Sequence, residues 1–280
     1  MHRIAYLGPM GTFSEEATTA YATAQGEVYR AIPFPSMPAL TQAVETGVAT
    51  EAVLPFENSL EGAVSTTLDL LIHETPLRIR GEVILPVRHF LWGAPGSDIT
   101  AIKRVISHPQ ALGQCRRFLD RLLPGVSTVA ALSTAGAVEQ VMREEATDQA
   151  AISPMRAGEL FGATLLAADI QDEKRNFTRF IVLAQTDHPP TGNDKTSLVF
   201  TTQRNVPGSL QACLAELAQS QIQLIHIESR PQKVTMGEYY FLIEFEGHRD
   251  EPVIVEALDR LRARADIVTI FGSYPAAPVP

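Results

Sequence analysis

The chain has 280 residues, of which 45% are hydrophobic and 20% charged, and its formal net charge is -9. This composition is typical of a globular protein, and the length predicts two or three packed units rather than a single core. No run of Lys or Arg stands out, so a nucleic-acid partner is not expected. No apolar run approaches the roughly 20 residues that span a bilayer, and the N-terminus lacks the apolar core of a secretion signal. We therefore expect no membrane partner and a cytoplasmic location.

Cysteine and histidine usage gives no sign of a metal site. Cys115 and Cys213 are the only cysteines, and they fall on predicted helices of different units. A structural disulfide or a cysteine-rich zinc site is therefore not expected, which fits a reducing cytoplasm. The seven histidines show no HExxH-like spacing, so no metal is predicted.

In the first two-thirds of the chain, short apolar strands alternate with amphipathic helices. We expect strands at residues 4–7, 28–32, 52–55, 104–106, 127–131, 150–153 and 177–184. We expect helices at residues 13–23, from a Ser36 cap to Gly47, from Ser59 or Ser65 to His73, at 109–123 and at 134–145. This rhythm predicts parallel or mixed sheets covered by helices. A long extended segment, residues 77–92 broken at Pro86, separates two such blocks and predicts two lobes with a cleft between them.

Residues 188–194 contain paired prolines, Gly, Asn and Asp without apolar periodicity, which is typical of a linker. Beyond it, strands are expected at residues 196–202, 223–229, 238–246 and 267–274, and helices at 207–219 and 251–265. The resulting β-α-β-β-α-β order is the ferredoxin-like split βαβ arrangement. It leaves a sheet face or edge available to a second copy of the chain.

Polar clusters fall at four strand-to-helix junctions. They are residues 8–13 (Gly-Pro-Met-Gly-Thr-Phe), 57–59 (Glu-Asn-Ser), 107–110 (Ser-His-Pro-Gln) and 133–136 (Ser-Thr-Ala-Gly). In open α/β sheets, ligands bind outside the carboxyl ends of strands, and a helix N-terminus favours a carboxylate. The alternative is that each Ser, Thr or Asn simply caps a helix, which stabilises it by about 1 kcal/mol. The spacing of Gly8 and Gly11 matches neither GxGxxG nor GxxxxGK[ST], so a nucleotide site is only weakly indicated.

The run Asn176-Phe177-Thr178-Arg179-Phe180 leads into an apolar strand. Alternation places Phe177 and Arg179 on one face and Thr178 and Phe180 on the other. One interpretation is a strand entry with a surface arginine. The other is a hydroxyl donor beside a guanidinium that clamps a carboxylate.

Five runs in this order resemble prephenate dehydratase, and the resemblance covers nearly the whole chain. They are Leu7-Gly8-Pro9-x-Gly11-Thr12-Phe13-Ser14, Pro55-Phe56-Glu57-Asn58-Ser59, Ser107-His108-Pro109-Gln110-Ala111, Asn176-Phe177-Thr178-Arg179-Phe180 and Glu228-Ser229-Arg230-Pro231. The last run lies in a C-terminal region that looks like an ACT domain. The family is a carbon-oxygen lyase of phenylalanine biosynthesis that converts prephenate to phenylpyruvate, losing water and carbon dioxide together without a cofactor.

The resemblance also implies residue roles. Thr178 would stand against the leaving hydroxyl as a hydrogen-bond donor, Arg179 would anchor a carboxylate or hold the loop, and Phe180 would wall the site. Candidate donors to substrate oxygens are Thr12, Asn58, Ser59, His108, Ser133, Thr134, Ser153 and Asn176. His108 equally suits a second acid or a helix cap, and Glu57 suits an orienting residue better than a general base. Pro154 departs from the family pattern, so the contact expected there is limited to Ser153.

For the C-terminal region, the resemblance implies binding of L-phenylalanine as an allosteric effector. The residues concerned are Val206, Pro207, Gly208, Ser209, Leu210, Glu228, Ser229, Arg230 and Pro231. Ser209 stands where many relatives have alanine, and Pro207 alternatively marks the first turn of a helix. Sensing sites of this kind form between paired copies, so we expect a homodimer or homotetramer.

The fold class expected is α/β, with a two-lobed, periplasmic-binding-protein-like catalytic domain over residues 1–187 and an ACT domain over 195–275. Lobe 1 would comprise about residues 1–76 and 177–187, and lobe 2 about residues 77–176. Three other functions are open. Arogenate dehydratase performs the same elimination on the amino-acid analogue, a non-catalytic protein would only sense an amino acid, and a solute-binding protein would normally carry an export signal.

Overall fold

The computed structural model describes residues 2–26, 28–204, 206–232 and 237–278. The strands are β1 (His2–Leu7), β2 (Tyr29–Phe34), β3 (Glu51–Asn58), β4 (Gly62–Ala63), β5 (Arg78–Pro86), β6 (Phe90–Gly93), β7 (Arg104–Ser107), β8 (Ser127–Ala130), β9 (Gln149–Ser153), β10 (Thr164–Ala167), β11 (Phe177–Ala184), β12 (Asp194–Thr202), β13 (Leu224–Pro231), β14 (Tyr239–Glu246) and β15 (Ala265–Pro275). The helices are α1 (Phe13–Gln25), α2 (Met37–Glu45), α3 (Ser65–His73), α4 (Pro109–Gln114), α5 (Arg116–Leu122), α6 (Thr134–Glu144), α7 (Met155–Phe161), α8 (Ser209–Gln219) and α9 (Pro252–Arg264). They build three sheets.

The first sheet has the order β2-β1-β3-β11-β5, with the short β4 beside β3. β1 pairs in parallel with β2 and β3, whereas β11 runs antiparallel to both β3 and β5, so the sheet is mixed. Successive side chains of β11 point to opposite faces of the sheet. Val182 packs with Ala17 and Tyr21 of α1, while Ile181 packs with Leu40 of α2 on the other side. Because helices cover both faces of the sheet, nearly all residues of β3 are buried.

The second sheet has the order β10-β6-β9-β7-β8 and is also mixed. α6 and α7 cover one face, where Val138 packs on Ile106 and Trp92. The other face packs against α4 and α5 through Cys115 and Leu119. Together the two sheets give the α/β class with mixed sheets that the alternation of strands and helices predicts.

The extended segment at residues 77–92 is divided between the two sheets. β5 pairs along its length with β11 in the first sheet, and β6 belongs to the second. A boundary at residue 77 is therefore wrong by about ten residues, because the hydrogen bonds of residues 78–86 are made within the first sheet. The predicted helix at residues 109–123 is interrupted at Cys115. α7 and β10 are absent from the sequence-based prediction.

The third sheet has the antiparallel order β13-β14-β12-β15. Its chain order, β12-α8-β13-β14-α9-β15, confirms the predicted β-α-β-β-α-β succession. α8 and α9 pack on one face, where Leu217 and Leu261 contact Leu198 and Phe200. Asp194 already belongs to β12, so the sheet begins inside the predicted linker.

The opposite face of the third sheet packs directly on the first sheet. Val199, Leu242 and Phe271 join Ile79 in one buried cluster. The approach is close because Gly272 has no side chain, since a Cβ there would lie 2.2 Å from the carbonyl oxygen of Ile79. Among the described residues, no helix is long and apolar enough to cross a membrane.

Candidate active site

A cavity of about 400 Å³ lies where the first and second sheets meet, beyond the ends of β1, β3 and β7. Both sheets contribute to it, as do the first residues of α1, α4 and α6. The lining residues are Leu7, Phe13, Ser14, Met37, Pro55, Asn58, Val64, Val87, His89, His108, Gln110, Ala111, Gln114, Thr134, Thr178 and Phe180. The predicted site residues Asn58, His108, Thr134, Thr178 and Phe180 are thus brought together.

Asn58 fixes the direction of the hydrogen bond to Thr178. Its Oδ1 accepts the backbone N–H groups of Leu60 (3.0 Å) and Glu61 (3.2 Å). The amide nitrogen must then face the other way, where it donates to Thr178 Oγ1 at 2.9 Å. Because the Thr178 oxygen accepts this hydrogen bond, its own proton is free to be donated into the cavity. The pair therefore forms a directed donor.

Asn176 and Ser59 support this pair from behind. Asn176 is buried, and its Oδ1 accepts from Asn58 Nδ2 at 2.8 Å. Ser59 Oγ accepts the N–H of Phe177 at 2.9 Å, and the Ser59 N–H donates to the Phe177 carbonyl at 2.9 Å. Neither residue lines the cavity. Both hold the start of β11 in place, which is a role that we did not predict for them.

The side chain of Arg179 points away from the cavity. Its Nη2 donates to Glu57 Oε2 at 2.9 Å, and its Nη1 donates to Glu82 Oε2 at 3.3 Å and Glu244 Oε1 at 3.0 Å. The guanidinium also lies 4.5 Å from the ring centroid of Phe56. With three protein carboxylates around it, Arg179 has no free edge for a substrate carboxylate, so the structure does not support the predicted carboxylate clamp. Glu57 acts on Arg179, in keeping with an orienting rather than a basic role.

Three helices begin at the cavity. Thr12 precedes α1 but does not cap it, and its hydroxyl instead donates to the carbonyls of Pro9 (3.0 Å) and Leu7 (3.3 Å). The first N–H groups of α1, beside Phe13 and Ser14, are therefore left uncapped by this side chain. His108 caps α4 through Nδ1, which accepts the Gln110 N–H at 3.3 Å. It also lines the cavity.

Two predicted donors have structural roles outside the cavity. Ser133 caps α6 by accepting the Gly136 N–H at 3.0 Å, whereas its neighbour Thr134 does line the cavity. Ser153 is fully buried and donates to the carbonyl of Pro154 at 3.0 Å. For Ser133 and Ser153 the capping and core interpretations fit better than substrate contact.

Sequence reasoning missed His89, which is buried and lines the cavity. Gln114 donates its amide N–H to Glu61 Oε1 at 3.1 Å, so its oxygen faces His89 and accepts from Nε2 at 2.9 Å. This relay places the imidazole proton on Nε2 and leaves Nδ1 as an acceptor without a partner among the described residues. Burial lowers the pKa of His89, although the hydrogen bond to Gln114 opposes the shift. The ring is therefore neutral at pH 7.

The predicted effector residues fall in two places. Val206, Gly208, Ser209 and Leu210 line a second cavity of about 640 Å³ beside α8 and Phe241. The helix begins at Ser209, so Pro207 precedes the cap rather than opening the first turn. Glu228 and Arg230 lie on β13 outside that cavity, paired to each other at 2.9 Å. Arg230 also donates to Ser65 of α3 at 2.8 Å. The remaining two residues of this run, Ser229 and Pro231, do not line the second cavity either.

Fold and cavity together define an α/β protein with a small-molecule site of directed hydrogen-bond donors between two mixed sheets. A sequence profile described as prephenate dehydratase matches residues 4–188. The chain belongs to the prephenate dehydratase family.

Two of the similar proteins are described as prephenate dehydratases, and a third similar structure has a different description. A prephenate dehydratase of Amycolatopsis methanolica is 41% identical over 280 residues, covering 99% of this chain and 90% of the relative. The crystal structure of an Arthrobacter aurescens prephenate dehydratase in complex with L-Phe superimposes with a TM-score of 0.89 at 33% identity, covering 98% and 90% of the two chains. A structure described as "GqqA- a novel type of quorum quenching acylases" has a TM-score of 0.87 at 32% identity and 99% coverage of both chains.

Proposed function

We propose that this chain catalyses the decarboxylative dehydration of prephenate to phenylpyruvate. The observation that carries the proposal is the directed hydrogen bond from Asn58 to Thr178, which leaves the Thr178 proton as a donor to the cavity. The leaving hydroxyl of prephenate needs such a donor, because charge develops on its oxygen as the carbon-oxygen bond breaks.

The reaction balances without an added electron carrier. The bond between the ring and its carboxylate breaks, and that electron pair moves through the ring to expel the hydroxyl at the opposite carbon. Carbon dioxide leaves from one end and, with one proton, water leaves from the other. Aromatisation drives the step, so the protein has to orient the substrate, support the departing oxygen and exclude water. Thr178 supports the oxygen, and the buried ring of Phe180 forms part of the wall.

The substrate carboxylates would be held by neutral groups. No Lys or Arg is found among the described lining residues of this cavity. The uncapped first turn of α1, together with Thr134, Gln110 and His108 at the other two helix starts, supplies N–H and side-chain donors instead. The described lining also contains no Asp or Glu. We therefore expect prephenate, with its keto group, to be preferred over arogenate, whose ammonium would need an acceptor of negative charge.

The test is turnover by the purified protein, with phenylpyruvate and carbon dioxide measured together. Equal amounts of both products are expected from prephenate, and kcat/KM is expected to be at least tenfold lower for arogenate. Absence of phenylpyruvate above the uncatalysed rate, with or without phenylalanine, would sink the enzyme proposal. Phenylalanine binding without turnover would then favour a non-catalytic amino-acid sensor.

For the domain organisation, we infer a two-lobed catalytic unit of residues 1–187 and an ACT unit of residues 195–275. Each lobe would be built on one of the first two sheets, with residues 78–86 in lobe 1. The ACT assignment is supported by the ferredoxin-like strand order of the third sheet and its two helices on one face.

Cys115 and Cys213 are both free thiols, which fits a cytoplasmic protein.

The regulatory site would bind L-phenylalanine next to Gly208 and Ser209, with Glu228 to Pro231 supplied by a second copy. Support comes from the second cavity beside α8, which is lined by residues of the first predicted run and by none of the second. Inhibition by phenylalanine and a dimer or tetramer in sedimentation experiments are expected. A monomer at all phenylalanine concentrations would remove the shared-site proposal.

A further inference from the structure

Four charged groups from two parts of the fold surround Arg179 in one largely buried cluster. Glu57 and Glu82 come from the first sheet, and Lys195 and Glu244 come from the third. Lys195 Nζ lies 2.7 Å from Glu82 Oε1, and Glu244 lies 2.9 Å from Arg179 Nη1. The side chains of Glu82 and Glu244 are 0% and 1% exposed. Removing carboxylates from water so completely is unfavourable unless each is paired and hydrogen-bonded.

Glu244 is fully satisfied within this cluster. Besides Arg179, it accepts from Ser197 Oγ at 2.9 Å and from the Tyr274 hydroxyl at 3.3 Å. Burial alone would raise the pKa of Glu244, but Arg179 and Lys195 more than offset this, and the net pKa is lowered. The carboxylate is therefore charged, and Arg179 is its main cationic partner. A side chain of the third sheet thus fixes a side chain of β11.

Arg179 directly follows Thr178 on β11, and the two side chains leave the strand on opposite faces. Thr178 lines the cavity, whereas Arg179 faces the third sheet. The pairing of β11 with β3 shifts register between Arg179 and Phe180. The unpaired residue is Phe56 of β3, whereas β11 stays in register with β5 from Phe177 to Val182. Arg179 contacts the Phe56 ring and Glu57, so it joins this irregular part of β3 to β11 and to Glu244.

Glu244 lies close to the predicted effector run. On the adjacent β13, His226 stands opposite Glu244, and Glu228 stands opposite Leu242 two residues away. Residues directly opposite share a face of the sheet. Glu228 and Glu244 therefore lie on the same face of one strand pair.

We propose that Arg179 is a positioning residue, and that its buried pair with Glu244 lets the C-terminal unit control the placement of Thr178 on β11. The inference rests on the proposed dehydratase function and names the contact through which the regulatory unit reaches the site. In this reading, residues 179 and 244 have no contact with substrate or effector.

The experiment compares three variants of the full chain. Glu244→Gln removes the charge at constant shape, and Glu244→Asp keeps the charge on a side chain one methylene shorter. The matched control is Glu216→Gln, because Glu216 is also a buried carboxylate of the C-terminal unit, paired with Arg260 (3.2 Å) and Arg264 (2.8 Å) but remote from β11. Steady-state kinetics with prephenate are measured alongside thermal unfolding and hydrogen exchange over residues 176–184.

Glu244→Gln is expected to lower kcat at least tenfold with KM changed less than twofold, and Glu244→Asp to recover part of that loss. Exchange over residues 176–184 should become faster in Glu244→Gln and should no longer respond to phenylalanine. Glu216→Gln should lower the unfolding temperature yet keep kcat within twofold of the wild type. Equal kcat and equal exchange in the Glu244 and Glu216 variants overturn the proposal.

Hydrogen exchange separates the two levels of inference. A wild type without turnover refutes the dehydratase function, but exchange over residues 176–184 still reports whether Glu244 controls β11. If Glu244→Gln does not fold, Glu244→Asp decides in the same way, with unchanged exchange counting against the proposal.

Discussion

Asn58→Asp is the sharpest test of the directed hydrogen bond. The substitution replaces the amide N–H donor with an oxygen and leaves the size of the side chain unchanged. One carboxylate oxygen can still accept the N–H groups of Leu60 and Glu61, as Oδ1 does now. The other oxygen faces Asn176, whose buried Nδ2 has no partner among the described residues and becomes a donor if the amide turns over. We therefore expect the variant to fold.

The effect on catalysis has two parts. Thr178 lies 2.9 Å from the amide nitrogen of Asn58, and with an acceptor in that place its hydroxyl proton turns toward residue 58 and away from the substrate. Loss of one such donor raises the barrier by about 3–4 kcal/mol. The new negative charge, about 5 Å from the departing oxygen at an effective dielectric constant of about 20, adds about 3 kcal/mol. Together these contributions of about 6–7 kcal/mol predict a loss of kcat of about 10⁴–10⁵-fold.

The assay is phenylpyruvate formation from prephenate by Asn58→Asp, Thr178→Ala and the double variant. Thr178→Ala alone should lose about 10²–10³-fold, because only the donor is removed. The losses should not add, since both substitutions act through the same hydroxyl proton. Asn58→Asp turning over within tenfold of the wild type, or fully additive losses, would refute the reasoning.

Three further outcomes are expected. Gly208→Ala, at φ +90° beside the second cavity, should raise the phenylalanine concentration for half-inhibition at least fivefold at unchanged kcat. Gly192→Ala, at φ +86° in the predicted linker, is the control. An equal change in half-inhibition for both variants would exclude a specific effect of Gly208 on phenylalanine binding. Gly158→Ala would bring a Cβ within 2.3 Å of the Trp92 ring and should destabilise the fold by about 1–3 kcal/mol in denaturant unfolding, whereas Gly113→Ala, which meets nothing within 4 Å, should be neutral or stabilising. Burial lowers the pKa of His89 in the folded state, so the unfolded chain binds the proton more readily, and the stability of the fold should decrease as the pH drops below about 6.5. His89→Gln should flatten that part of a plot of Tm against pH. Identical slopes for the wild type and the variant would contradict the assignment of a neutral, buried imidazole.

Alternation along residues 177–184 was sufficient to place Thr178 and Phe180 on the opposite face from Arg179, and the structure confirms this. The pattern did not reveal what Arg179 contacts. Its partners Glu82 and Glu244 lie 97 and 65 residues away in sequence. Pairing over such separations depends on how sheets stack, and one sequence carries no local sign of it.

His89 and Gln114 were missed for a similar reason. Each lies in a segment that was interpreted for its secondary structure alone, and the Glu61-Gln114-His89 relay joins the β3–β4 turn, α4 and the connection between β5 and β6. The division of residues 77–92 was also hidden, because an extended apolar segment looks the same whichever sheet it pairs with. By contrast, Ser36 was predicted as a cap, since capping is local, and for Ser133 the capping alternative fits the structure better than the predicted contact with substrate.

The close contact between the Gly272 backbone and Ile79 affects how this protein unfolds and how its C-terminal unit can be exchanged for another. Val199, Leu242 and Phe271 share their packing with Ile79, so the first and third sheets have one continuous apolar interior between them. Melting of the C-terminal part would expose that interior, and calorimetry should record these two sheets in a single transition. In a chimera that joins a foreign C-terminal unit at residue 188, that unit has to pack against the whole apolar surface of the first sheet, and a flexible linker alone would not be sufficient. The part of the chain that has to be exchanged as one unit therefore extends beyond the boundary predicted at the linker, and it includes β5.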